Sequence, residues 1–168
     1  MSIDIYAADE QRDRVIDLER WVALANGALV DEGIRGLAEV SLIFSDEMTI
    51  AALNQQFMGK DGPTDVLSFP IDGEPDPTGR VPDAGGTGPG EPPPVEIPQL
   101  VGDIVICPAV AARNAVDHDC SFDDEIALLV VHGVLHLLGW DHVVDDEAER
   151  MEARERELLA RHYQPSGS

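Results

Sequence analysis

SFDDEIALLVVHGVLHLLGWDH, residues 121–142, combines a helix start, a run of aliphatic residues and three histidines. Ser121 with Asp124 three residues on is a capping-box pattern, in which the first side chain accepts from a backbone N–H that the helix leaves unpaired. From Ile126 to Leu138, at about 100° per residue, Ile126, Leu129, Val130, Val134 and Leu137 share one face. Leu128, Val131 and Leu135 fill much of the other. A helix apolar nearly all round belongs at the centre of a fold, buried by its neighbours. Gly139 stops it. Glu125, on the histidine side of this helix, reads as a solvated acid of the first turn, with a supporting role beside the histidines as the alternative.

The elements that would bury this helix lie on both sides of it. Ile3 to Tyr6 alternates apolar and polar residues, as a short strand does. Val15, Leu18, Val22 and Ala25 have helical spacing within Arg14 to Leu29. EVSLIFS, residues 39–45, is a strand, and a second helix follows from Asp46 through Met58 with Ile50, Leu53 and Phe57 on one face. TDVLSFPI (64–71) and LVGDIVIC (100–107) are two more strands, and Pro108 starts the next helix. Asp145 to Arg161 is the last helix, whose Glu/Arg pairs read as a solvated face. The order β-α-β-α-β-β-α-α-α predicts one α+β domain spanning residues 1–168, a small mixed four-stranded sheet packed by helices around the histidine helix. Residues 72–99 hold 8 of the 12 prolines and 6 of the 15 glycines, so a flexible loop is expected there.

At 168 residues the fold can bury roughly 70% of its unfolded surface, enough for its own core. Eleven Lys plus Arg against 33 Asp plus Glu give a formal net charge of -22, and only Lys60 is a lysine. This balance excludes broad electrostatic binding to nucleic acid or anionic membrane, which needs a basic footprint, but not a local site where a metal or a few Arg meet an anion. No apolar run reaches the roughly 20 residues that cross a bilayer, and Met1 to Glu10 lacks the pattern of a secretory signal. A soluble, cytoplasmic protein is expected, with Cys107 and Cys120 as reduced thiols.

His132 and His136 stand at i and i+4, one turn apart on one side of the helix, the geometry by which a helix offers two imidazoles to one metal ion. Gly139 lets the chain turn back, which can bring His142 to a third ligand position. Three neutral imidazoles with an open fourth position describe a catalytic zinc site, where bound water has its pKa lowered to roughly 7. A histidine on an apolar helix is otherwise a satisfied core residue, but two on a buried helix must both satisfy polar rings in a dry place. His118 and His162 read as surface residues. The spacing of His132, His136, Gly139 and His142 also matches the metzincin pattern of zinc proteases. There the residue after the first histidine is the glutamate general base, and here it is Gly133.

HGVLHLLGWDH (132–142) resembles the H-G-x-L-H-L-x-G-[YW]-D-H signature of the YbeY family, rRNA maturation factors described as metal-dependent endoribonucleases. LNQQFMGKDGPTDVLSFP (53–70) resembles that family's second block and GDIVIC (102–107) its third. The resemblance implies an α+β fold and a single-strand-specific endoribonuclease that matures the 3′ end of 16S rRNA and serves ribosome quality control. It implies one zinc ion per chain on His132, His136 and His142. The partners it implies are the small ribosomal subunit and its rRNA, a small-subunit ribosomal protein and an Era-type GTPase. Many members carry an Arg where this chain has Met58, which cannot donate to a phosphate. Lys60 and Arg113 are the candidates for supplying that charge. Thr64, Asp65, Ser68 and Asp103, within the matching blocks, read as structural, and Asp141 as orienting a histidine or capping the turn. Two other functions stand beside the nuclease: a non-enzymatic zinc-binding ribosome assembly factor, and a metzincin-like protease.

Overall fold

The computed structural model describes residues 3–34, 38–70, 99–140 and 145–163. Strand β1 (Ile3–Asp9) leads to helix α1 (Leu18–Asp31), then β2 (Ala38–Phe44), α2 (Glu47–Leu53), a π turn (Asn54–Met58) and β3 (Val66–Pro70). After residues 71–98 come β4 (Gln99–Ile106), α3 (Pro108–Asp117), α4 (Phe122–Leu137) and α5 (Asp145–His162). The expected loop over 72–99 lies outside the described residues, apart from Gln99 at the start of β4. The sheet order is β1-β2-β4-β3. β1 and β4 both run parallel to β2, and β3 is antiparallel to β4, which makes the mixed four-stranded sheet that the element order predicts.

Side-chain alternation divides the core between two faces of this sheet. Val40, Leu42, Phe44, Ile104 and Ile106 pack with Trp21 and Leu24 of α1 and with Ile126, Val130 and Val134 of α4. Val105, Cys107 and Leu67 point the other way and meet Ile50 of α2. Strand β4, between two neighbours and covered on both faces, is correspondingly apolar from Ile104 onward. Gly102 in β4 has φ +149, and a Cβ there would lie 2.5 Å from the Phe69 carbonyl oxygen and 2.7 Å from Leu137. Glycine at this position lets β3 and α4 close on β4.

Two helices differ from expectation. α1 begins at Leu18 rather than Arg14, because the Gln11 side chain holds the Arg14 N–H (2.9 Å) and carbonyl (2.8 Å) in a turn. Asp17 then caps α1 by accepting from the Arg20 N–H. Val15 is consequently 96% exposed, and the buried stripe is Trp21, Leu24, Ala25, Ala28 and Leu29. In the second helix, the π turn at Asn54–Met58 inserts an extra residue per turn and shifts the phase. Phe57 therefore leaves the Ile50 face; it is 56% exposed and meets Phe69 edge-on at 5.2 Å. Buried Asn54 donates to the Gly62 carbonyl at 2.9 Å and so pins the turn over residues 59–63.

Helix α5 is held against α1 and α4 by polar contacts that its mixed charge pattern did not reveal. Arg154 is paired with Glu32 at 2.5 Å, and Glu32 also accepts from the Trp140 indole N–H at 2.8 Å. His162 and Arg161 both engage Asp31, whose carboxyl is held below its ordinary value chiefly by the His162 hydrogen bond. Tyr163 donates to Asp124 at 2.7 Å and stacks with Trp21, while the Arg20 guanidinium lies over both rings. Glu32→Ala removes the shared acceptor of two partly buried donors. It is expected to lower stability by roughly 2–3 kcal/mol, the cost of leaving such groups unpaired. Urea unfolding of the variant beside the native chain measures this.

Candidate metal centre

Helix α4 forms as its sequence suggests. Ser121 caps it by accepting from the Asp124 N–H at 3.0 Å, and Asp123, Asp124 and Glu125 place negative charge at its positive end. Its C-terminal half, buried between the sheet, α1 and α5, carries the histidines. The His132 and His136 rings are 4.5 Å apart between centroids and meet edge to face at 73°. The structure thus brings these two together. His142 and Asp141 lie outside the described residues, and among the described residues no group of three His, Cys, Asp or Glu is arranged to hold a metal ion.

A residue that the sequence reading passed over completes this pair. Glu155 of α5 reaches His132 Nδ1 at 2.5 Å. It lies on one helix stripe with Met151 and Leu158, all three buried, so the last helix is not simply a solvated charged face. Spacing puts Glu155 on the stripe of Met151 and Leu158, but only the packing of α5 on α4 makes that stripe a buried one. Glu125 also differs from expectation. It is 2% exposed, accepts from His118 at 2.9 Å and lies 3.7 Å from the Cys120 thiol, so it is a buried acid with its own partners. That hydrogen bond holds His118 above the ordinary histidine range.

Gly133, where a metzincin would have its glutamate, faces the sheet. A Cβ there would stand 2.7 Å from Ile104 Cγ2. Any side chain at 133 would be driven into the core rather than toward the histidines, so this position has no room for the metzincin glutamate. The cations proposed from sequence are placed elsewhere. Arg113 on α3 is engaged by Glu47 at 2.6 Å on an exposed part of the surface, and Lys60 lies on the exposed turn after the π turn. Met58 is 45% exposed. A groove of about 280 Å³ opens at the C-terminal end of α4, one turn beyond His136, lined by Leu138, Gly139, Trp140, Glu147 and Arg150. Arg150 puts a cation on its wall that the sequence reading did not single out.

Three of the remaining block residues, Asp65, Ser68 and Asp103, stand in contacts within the fold. The Asp65 carboxylate accepts from the Asn114 amide at 3.0 Å, and its carbonyl accepts from the Cys107 N–H at 2.9 Å. Ser68 donates weakly to the Gly133 carbonyl at 3.4 Å, which ties β3 to α4 beside the first histidine. Asp103 pairs with Phe69 in the β3–β4 ladder. Both cysteines are free thiols.

The fold and this geometry define an α+β protein in which a central helix, covered by a mixed sheet and a clamped last helix, presents two imidazoles with a carboxylate behind one of them. The sequence profile described as Endoribonuclease YbeY matches residues 6–163, and the chain belongs to this family. Endoribonuclease YbeY of Salinispora tropica is 45% identical over 161 residues, covering 95% of each chain. The Thermobifida fusca protein of the same name is 43% identical over 144 residues, 86% of this chain and 84% of that one. The solution structure of a Thermotoga maritima protein superposes with a TM-score of 0.53 at 25% identity, covering 98% of this chain and 99% of the other.

Proposed function

We propose that the chain is a metal-dependent endoribonuclease acting in rRNA processing, with zinc held by His132, His136 and His142. The observation that supports it is the pair of imidazoles one turn apart on a buried helix, one of them backed by a buried carboxylate. This donor set suits a divalent ion of borderline softness such as zinc, since neutral imidazole is its commonest nitrogen ligand. When bound, such an ion polarises a phosphoryl oxygen and lowers the pKa of a water molecule. The chain's own residues do the rest. Glu155 holds the His132 ring by its Nδ1, and Arg150 on the wall of the neighbouring groove would supply a cation to a phosphate of the strand. Met58, an exposed thioether, has no donor to offer a phosphate.

The net charge of -22 supports delivery to RNA by other macromolecules rather than capture of free RNA. With the family resemblance, this makes the proposed substrate the 3′ end of 16S rRNA within a small ribosomal subunit in the cytoplasm, reached through a small-subunit ribosomal protein and an Era-type GTPase. Among the described residues no helix is long and apolar enough to cross a membrane. The test is cleavage of naked single-stranded RNA, of its duplex and of small-subunit particles, each over a range of salt. Cleavage of single strands only, with naked-RNA binding that is weak even at low salt and activity greatest on particles, is expected. Tight, salt-insensitive binding to naked RNA contradicts the delivery, and absence of cleavage on every substrate leaves the assembly-factor reading in place of the enzyme.

A further inference from the structure

We infer that Glu155 is the positioning residue of the metal centre: its carboxylate fixes the tautomer and orientation of His132, so that the imidazole presents Nε2 to the ion. This rests on the metal-site reading above and adds a residue to it. Glu155 stands on α5 between Met151 and Leu158, all buried, with its side chain only 8% exposed. A carboxylate in such a place is costly unless a donor meets it. Its partner is His132 Nδ1 at 2.5 Å, and since a carboxylate only accepts, Nδ1 is the donor in this arrangement. With hydrogen on Nδ1, the lone pair of a neutral ring is on Nε2. The contact joins residues 23 apart in sequence, on two different helices, so local chain geometry does not produce it by default.

The carboxylate is also held in place. Arg154, the preceding residue, is paired with Glu32 and bonds the Asp31 carbonyl, and the C-terminal end of α5 is fixed through Tyr163 to Asp124. These contacts set the axial position and rotation of α5, and thereby aim Glu155. Among the described residues Glu155 is paired with His132, and such a buried acid is compensated best when the ring it holds carries a divalent ion on its far side. Each therefore strengthens the other, the imidazole becoming a more basic ligand.

The test uses the full chain stripped of metal, with cobalt(II) as a coloured probe titrated against a competing chelator. Four forms are compared: native, Glu155→Ala, Glu155→Gln and Glu152→Ala. Glu152 is exposed on the same helix and serves as the control. Glu155→Ala is expected to bind cobalt 10–100-fold more weakly, the usual effect of removing an outer-shell partner. Glu155→Gln, which keeps the volume and an acceptor oxygen, recovers part of that loss, and Glu152→Ala binds as the native chain does. Nitrogen-15 spectra of the metal-free proteins are expected to show His132 as the Nδ1–H form in the native and Gln chains and as a mixture in the Ala chain. A merely structural role would lower the melting temperature without moving that tautomer. If Glu155→Ala is poorly folded, the Gln variant carries the comparison. Equal cobalt affinity in all four with an unchanged tautomer overturns the role of Glu155. A native chain that binds no cobalt overturns the metal-site reading itself, and the role of Glu155 with it.

Discussion

His136→Ala abolishes RNA cleavage, with a fall in rate on the order of 10³-fold or more, if the imidazole pair holds the catalytic ion. The size follows from what an ion contributes: several kcal/mol of charge stabilisation, at about 1.4 kcal/mol per factor of ten in rate. His136 lies near the C-terminal end of α4, where its ring meets His132 edge-on. The backbone of that turn continues to Leu138 through Val134 and Leu135 carbonyls, so truncation at Cβ leaves the helix intact. Loss of activity with an unchanged circular dichroism spectrum and a lost metal content is the expected result. Cleavage by the variant equal to that of the native protein would indicate a contaminating nuclease.

Gly133→Glu, which would restore the metzincin sequence at that position, is expected to unfold the protein rather than create a peptidase. A Cβ at 133 falls 2.7 Å from Ile104 Cγ2, and Ile104 is fully buried in the central strand. Overfilling a packed core costs about 1–3 kcal/mol. An unpaired buried carboxylate adds roughly 3–5 kcal/mol. Together these match the lower half of the stability of an ordinary domain, about 5–15 kcal/mol. Thermal unfolding is the measurement, with Gly133→Ala as the milder step. A folded Gly133→Glu protein that digests casein would contradict the packing argument directly.

Much of this fold is legible in the sequence because its periodicities are strong. The all-round apolar pattern of residues 126–138 places α4 at the centre, and the β-branched runs give the strands of the sheet. What the pattern does not carry is local competition. Gln11 captures the backbone of Arg14 and delays α1, although residues 14–17 have helical spacing. The π turn at Asn54–Met58 changes the phase of the second helix without leaving a mark in hydrophobicity. At the site, His132 and His136 are readable from spacing alone. Glu155 is not, since its importance depends on the crossing of α5 over α4. Charge type also misleads at the surface: Glu125 and Glu155 resemble solvated acids in sequence and are buried acceptors in the fold. Arg113, a plausible cation by composition, is already committed to Glu47.

The most direct test of metal dependence is to strip the protein of metal, return zinc in measured steps, and follow cleavage of a single-stranded RNA at each step. A nuclease that depends on one zinc ion gives no cleavage when stripped and activity that rises to a plateau at one ion per chain. Undiminished cleavage by the fully stripped protein, with the same products, would contradict it.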